Sequence, residues 1–501
     1  MLTFVKNLGR GTFGNVDLYR NQNDKLVAVK DVVGTNGIND GVLIEVQSLM
    51  KLSNSEHVVK LLAINAKVSN GNTIFSMMLN YHTSDMFDFI EIVPTMERIK
   101  VADSCMEQMM EVLNQLYDNR IIHRDIKPDN ILMDYVYDTS KKQLVGNVKL
   151  YLADFGLSYQ LGCSRLASLR RNKVGLYQSL EGMTNYYTYP YRPPEVCSAS
   201  IYDTSADMWA VGVTMYEFIT GYRLITDDML KRAPYKDNNS SILYVINKLS
   251  GGNDDTFDQL FNLNFDSAID VKKLLNHVMN KLHRSHVSDV YVLTLEFMLK
   301  LIPSKRLQPV NMATNKYINV KRLVPSAFLS LTPKMYKDLS CGIIFALSNL
   351  TQISRAYICA LDMLDRYTGN LKSKISPREL LIAAVVISMI SLKVLSNEDV
   401  EINDSITIAE DFTNEVNVQP PDMEEMQEME INICKDLDYV FVSCDIDPLT
   451  AALGQETIDE DDETVTNKLM LLYTKVAEQG LYPAQLSYTS LANEYTSIPT
   501  Q

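Results

Sequence analysis

Ile121-Ile122-His123-Arg124-Asp125-Ile126-Lys127-Pro128-Asp129-Asn130-Ile131-Leu132 is the stretch whose reading decides the fold. Apolar pairs flank a polar loop that holds two carboxylates, a lysine and a side-chain amide. Downstream, Asp154-Phe155-Gly156 begins twenty-nine residues after Asp125, behind the strand-like Val148-Lys149-Leu150-Tyr151-Leu152. Tyr191-Arg192-Pro193-Pro194-Glu195 and Asp207-Met208-Trp209-Ala210-Val211-Gly212 come next. Upstream, Gly9-Arg10-Gly11-Thr12-Phe13-Gly14 turns between the extended runs Leu2–Leu8 and Val16–Tyr19. A dinucleotide fingerprint needs a helix after its last glycine. Asn15–Tyr19 alternates at strand period instead. Another strand, Leu26–Lys30, ends in a lysine sixteen residues beyond Gly14. From Asp40 to Leu52 the apolar spacing of Val42, Val46 and Leu49 turns helical, and this helix carries Glu45.

The 501 residues allow two to four domains, and 46% hydrophobic with 22% charged composition excludes a disordered or collagen-like chain. Net charge is −15, yet the acidity is local: Glu398–Glu463 holds 22 acidic residues and one basic one. The remainder has 46 basic against 40 acidic residues, so a nucleic-acid-binding body is not indicated. The start shows no signal-peptide core, and the longest apolar run, Leu380–Leu392, is too short for a bilayer. Seven scattered cysteines without zinc spacing read as reduced thiols. A non-secreted intracellular protein, cytoplasmic or nuclear and without a membrane segment, is expected.

The ordered motifs of the first three hundred residues resemble the eukaryotic protein kinase family. The resemblance implies an α+β two-lobed kinase fold over 1–322, with ATP and Mg²⁺ as cofactors. Leu8, Gly9, Arg10, Gly11, Thr12, Phe13, Gly14, Asn15 and Val16 would bind ATP, with the backbone amides of Gly9–Gly14 covering the phosphates. Ala28, the gatekeeper Leu79 and the hinge residue Tyr81 would complete the nucleotide site, with Lys30 orienting the phosphates and Glu45 holding it. Asn130 and Asp154 would supply hard oxygen ligands for the metal. Asp125 would accept the hydroxyl proton while Lys127, which marks the serine/threonine version of the loop, steadies the moving phosphoryl group.

Tyr191-Arg192-Pro193-Pro194-Glu195 is similar to the Y-R-x-P-E of cyclin-dependent kinases, which implies Ser/Thr-Pro sites in protein substrates. Arg306 is expected to pair with Glu195, and Thr188 to contact Asp125 and Lys127. Thr184 leads the activation-loop phosphosite candidates, ahead of Ser179, Tyr186 and Tyr187. Asp138–Lys142 reads as a hairpin tip, and Lys231–Ser288 as an insertion with polar loops at 237–240 and 251–254.

Residues 326–453 are punctuated as helices. Pro333–Leu350 and Ser354–Tyr367 carry apolar stripes, and Ser376-Pro377-Arg378-Glu379 is a capping box that opens the apolar Leu380–Leu392. Pro420-Pro421 are expected to begin another helix. Ala360–Tyr367 and Met429-Glu430-Ile431-Asn432-Ile433 resemble the second and fifth helices of a cyclin box. The resemblance implies an all-α cyclin-like domain that acts on the kinase within the same chain. Lys393 and Glu430 are its interface pair, expected to grip the helix bearing Glu45. An acidic linker and helical tail fill 454–501. The alternatives are a kinase-fold scaffold, or a kinase whose helical domain docks substrates.

Overall fold

The computed structural model describes residues 2–11, 14–35, 37–160, 186–200, 202–249, 287–301, 303, 306, 333–348, 354–395, 421–441, 462–479, 491 and 495. The first eighty residues build a five-stranded antiparallel sheet from β1 (Thr3–Gly11), β2 (Gly14–Arg20), β3 (Leu26–Gly34), β4 (Leu61–Ser69) and β5 (Asn72–Asn80). Its strand order is β1-β2-β3-β5-β4. Between β3 and β4 runs α1 (Asp40–Lys51), whose Asn39 side chain accepts from Gly41 N–H and caps the first turn. Val42, Leu43, Val46 and Leu49 bury its apolar face.

The following region begins with β6 (Ser84–Asp85), α2 (Met86–Ile92) and α3 (Thr95–Asp118). After β7 (Ile121–Ile122), the long hairpin of β8 (Ile131–Asp138) and β9 (Gln143–Leu152) pairs with β6. Its tip lies at Asp138–Lys142, as the sequence suggests, and Asp138 accepts from the N–H groups of Ser140 and Lys141 there. β10 (Tyr159–Gln160) pairs with β7. Then come α4 (Pro194–Cys197), α5 (Ser205–Thr220), α6 (Asp227–Arg232), α7 (Asn238–Leu249) and α8 (Asp289–Met298). Fifteen of the sixteen residues of α5 are buried, so it forms the axis against which α3 and α8 pack.

One expectation is corrected here. Asp237–Ser240 is no polar loop. Asp237 accepts from Ser240 N–H at 2.8 Å and starts α7 from within that run. Polar residues favour helix starts as strongly as loops, so composition alone misassigns them. Residues 251–254 lie outside the described residues.

Late in the chain come α9 (Pro333–Ser348), α10 (Ser354–Asn370), α11 (Pro377–Leu395), α12 (Met423–Asp436) and α13 (Asp462–Glu478). The capping box at Ser376 and Glu379 is formed in both directions. Leu380 to Leu395 is buried throughout, which makes α11 the centre around which α9, α10 and α12 pack. α12 starts two residues after Pro421, because Asp422 and Glu425 close their own capping box. α13 packs on α9, with Leu469, Leu472, Tyr473 and Val476 buried. Its first residue, Asp462, belongs to the run expected as linker, so the acidic stretch runs into a helix N-terminus.

Candidate active site

The polar loop between β7 and β8 is tied from below by Asp207 on α5. Its carboxylate accepts from His123 N–H at 2.6 Å and Arg124 N–H at 3.1 Å. Burial pushes this carboxyl up, and those two amides oppose the shift. Arg124 adopts a left-handed φ of 67°, costly for a residue that carries a Cβ, and the Asp207 bonds hold it there. The loop thereby presents Asp125 upward.

Asp125 is gripped on every side. Lys127 Nζ donates to its Oδ2 at 2.8 Å, and Asn130 Nδ2 donates to the same oxygen at 2.9 Å and to the Asp125 carbonyl at 2.8 Å. Thr188 reaches back 63 residues to donate its hydroxyl to Asp125 Oδ1 at 2.7 Å, and Lys127 in turn donates to Thr188 Oγ1 at 2.9 Å. Thr188 thus meets both residues expected of it.

Above this loop, Lys30 on β3 bridges two carboxylates. Its Nζ lies 2.7 Å from Glu45 Oε2 on α1 and 2.9 Å from Asp154 Oδ1. Burial alone would lower the Lys30 ammonium, but the two carboxylates reverse this and hold it above the ordinary lysine value. Asp154 is likewise pushed up by burial and pulled further down by Lys30, so it ends below the usual carboxylate range. It sits at φ 61°, ahead of the buried Phe155 that packs edge-on against His123 at 4.7 Å. A carboxylate and an amide oxygen, from Asp154 and Asn130, make a hard donor pair suited to Mg²⁺ shared with phosphates.

The roof is the β1–β2 hairpin, which closes at the Gly11–Gly14 pair. A Cβ at Gly14 would run into the Asp31 carbonyl, so the strand approach requires glycine. Leu8 is exposed, Val16 packs against the core, and Arg10 faces Asn15 in the register. Thr12 and Phe13 lie outside the described residues. Ala28 and Leu79 are buried register partners on β3 and β5. Tyr81 follows in the connection to β6, next to His82. The His82 ring stacks on Tyr151 at 3.9 Å and lies 3.0 Å from Asp134 on β8, tying this connection to the long hairpin. Nothing in the sequence pattern marked that contact.

Arg306 Nη1 and Nη2 donate to Glu195 at 2.5 and 2.7 Å, the pair expected from the sequence. Thr184 and Ser179 lie outside the described residues. Tyr187 is a poor phosphorylation candidate: it is 3% exposed and donates its hydroxyl to Asp207. Burial, with Asp207 beside it, pushes that phenol far up. Tyr187 holds φ 66°, and Arg192 takes its carbonyl through Nε at 3.3 Å and Nη2 at 3.0 Å.

Lys393 on α11 and Glu430 on α12 form a buried pair 2.8 Å apart. Lys393 Nζ also donates to Ile38 O at 2.8 Å, and Glu430 Oε2 accepts from Ile38 N–H at 2.8 Å. Both backbone groups of the residue before the α1 cap are thus satisfied by this one pair. Burial would lower Lys393, but Glu430 and Asp40 hold it up. Gly37, at φ 94°, leaves no room for a side chain, since a Cβ would run into the Glu430 carboxylate. Two residues beyond Glu45, Gln47 accepts from Phe441 N–H at 3.2 Å, and Phe75 meets Tyr439 edge-on at 6.1 Å. Gln427 donates to Gly71 O at 3.1 Å in the β4–β5 turn.

The family model for the protein kinase domain matches residues 2–318. A Dictyostelium discoideum protein described as a probable cyclin-dependent serine/threonine-protein kinase is 27% identical over 44% of this chain and 14% of its own. The NUAK family SNF1-like kinase 2 of Rattus norvegicus is 26% identical over 44% of this chain and 30% of its own. For the serine/threonine-protein kinase SBK1 of Mus musculus the values are 29%, 43% and 46%. The chain spans less than half the length of each of these relatives. It belongs to the protein kinase family, and its kinase domain is of the serine/threonine type.

Proposed function

We propose that the chain transfers the γ-phosphate of ATP to serine or threonine followed by proline, and that its own late helices act as a cyclin-like activator. The observation that carries the catalytic part is the double grip of carboxylates: Asp125 by Lys127, Asn130 and Thr188, and Lys30 by Glu45 and Asp154. In this reading Asp125 accepts the proton of the incoming hydroxyl, and Lys127 lies beside it to meet charge on the transferred group. Lys30, fixed by Glu45, orients the α- and β-phosphates under the glycine hairpin. Asp154 and Asn130 would hold Mg²⁺, whose charge would offset that of the phosphates.

The proline preference is supported by Tyr187. Its left-handed backbone gives its carbonyl to Arg192, so a substrate N–H at the following position would find that acceptor taken. Proline has no N–H to leave unpaired, which removes that penalty. The cyclin-like reading is supported by Lys393 and Glu430 on Ile38. By fixing the entry to α1, the pair biases Glu45 towards Lys30.

The test is phosphorylation of a Ser-Pro and a Ser-Ala peptide by the full chain with ATP and Mg²⁺. Turnover of Ser-Pro at least about tenfold above Ser-Ala is expected. No turnover of either, or equal turnover of both, overturns the activity or the preference respectively.

A further inference from the structure

Three consecutive side chains, Tyr186, Tyr187 and Thr188, clamp the catalytic loop at three successive points. Thr188 donates to Asp125, and Tyr187 donates to the Asp207 carboxylate that holds the His123 and Arg124 amides. The third contact is aromatic. The Arg124 guanidinium carbon lies 3.6 Å from the centre of the Tyr186 ring, and the Tyr159 ring lies 5.2 Å away on β10. Nε of the same guanidinium donates to Leu157 O at 2.6 Å, and Nη2 to Ser158 O at 3.2 Å. Arg124 is 2% exposed.

A buried guanidinium next to a catalytic aspartate is the group that an activation-loop phosphate orders in many kinases. In this chain, among the described residues, its charge meets the rings of Tyr186 and Tyr159 and two carbonyls, with the Tyr202 phenol also in its field. A desolvated cation–π contact at this distance is comparable with a charge-assisted hydrogen bond. We propose that Tyr186 is a positioning residue: its ring, stacked on Arg124, substitutes for an activating phosphate and sets the register that brings Thr188 onto Asp125.

The geometry has a direct consequence. With Tyr186 on Arg124, Tyr187 holds a left-handed turn at φ 66° and donates to Asp207, and the next residue, Thr188, donates to Asp125. Removing the ring frees the guanidinium face and relaxes the restraint on that turn. The expected loss falls on the chemical step, since no atom of Tyr186 belongs to the nucleotide contacts described above. The inference rests on the catalytic role of Asp125 argued in the preceding subsection.

The experiment uses the full chain as wild type, Tyr186→Phe and Tyr186→Leu. Each is assayed as purified and after treatment with a broad-specificity protein phosphatase, with phosphate content read by intact mass. Dephosphorylated wild type is expected to keep kcat within about threefold of the untreated enzyme. Tyr186→Leu should lose about tenfold or more in kcat, with KM for ATP within about twofold and a single cooperative melt, at a somewhat lower temperature, that shows the chain still folded. Tyr186→Phe, which keeps the ring, should restore kcat to within about threefold of wild type. A fall of tenfold or more on dephosphorylating wild type overturns the proposal, as does a leucine variant equal to wild type or a phenylalanine variant as impaired as leucine. Failure of the catalytic reading looks different: wild type is then inactive in both phosphorylation states.

Discussion

The catalytic loop and the grip on Ile38 both hold charged groups in the interior, and they do so at opposite ends of the sequence-distance scale. Asp125 takes bonds from Lys127 and Asn130, two and five residues away. Lys393 and Glu430 close on Ile38 from 355 and 392 residues away. The first arrangement is written into one short run of sequence. The second exists only once two helices have packed on a third, so its energy depends on docking as well as on chemistry. The first region should therefore fail in chemistry without failing in fold, and the second should fail in both.

The sharpest break of that contrast is Asp125→Asn. The amide keeps the shape but turns one of the two accepting oxygens into a donor and removes the proton acceptor, so turnover should fall about 10²–10⁴-fold with a much smaller effect on the melting temperature. Lys30→Met should lower turnover by about 10²–10³-fold, but it strands the buried Glu45 and half-buried Asp154 carboxylates, so its melting temperature should fall as well. Parallel peptide assays and thermal melts of the three proteins decide it. Equal turnover by Asp125→Asn and wild type, free of contaminating kinase, would remove the catalytic assignment.

Lys393→Ala tests the other region. The change leaves Glu430 charged at a site where the pair is 3% and 4% exposed, which costs about 3–5 kcal/mol. Turnover and melting temperature should both drop. Adding Glu430→Ala removes the stranded charge, so the double variant should lose less than the two single losses added together. Additive losses would mean that the two side chains act separately, and full turnover in the double variant would leave the late helices without an activating role.

How much of this was legible follows from the same contrast. Glycine hairpin, Lys30, Glu45, the Asp125 loop and Asp154 could be read because phosphoryl transfer demands those residue types at near-fixed spacing. Arg306 with Glu195 and Thr188 with Asp125 were also readable, from motif position. The Arg124–Tyr186 stack, the left-handed Tyr187 and the His82–Asp134 contact were not. Each depends on the path of the chain in space, and neither periodicity nor composition encodes that path. Asp237 shows the local version of the limit: an Asp-Asn-Asn-Ser run has the composition of a loop and the chemistry of a helix cap.

Gly37 offers a finer cut through the grip. An alanine there meets two penalties, the left-handed φ of 94° and collision of its Cβ with Glu430. Gly146, at φ 75° with open space around the Cβ position, meets the first alone. Gly146→Ala should therefore cost about 1–2 kcal/mol with turnover unchanged. Gly37→Ala should cost more and lower turnover as well, because the collision displaces the carboxylate that holds Ile38 N–H. Melts with peptide assays separate the two, and equal effects from the two glycines would show strain alone at Gly37.

The smallest effect is expected at a second ion pair of the same helices. Arg378 and Glu425 meet through two bonds of 2.6 and 2.7 Å, a better fork geometry than Lys393 and Glu430 have. Judged on distance alone, this pair would be the stronger. Their side chains, however, are 37% and 38% exposed, so water and salt screen the attraction and each charge is solvated when its partner is removed. Arg378→Ala should accordingly change stability by about 0–1 kcal/mol, less at high salt, with turnover as in wild type. Glu425 also closes the α12 capping box, so Arg378 is the member whose removal reports the pair by itself. A loss matching that of Lys393→Ala would mean that geometry outweighs burial in these helices, and the account of the Ile38 grip as a buried-charge device would have to be given up.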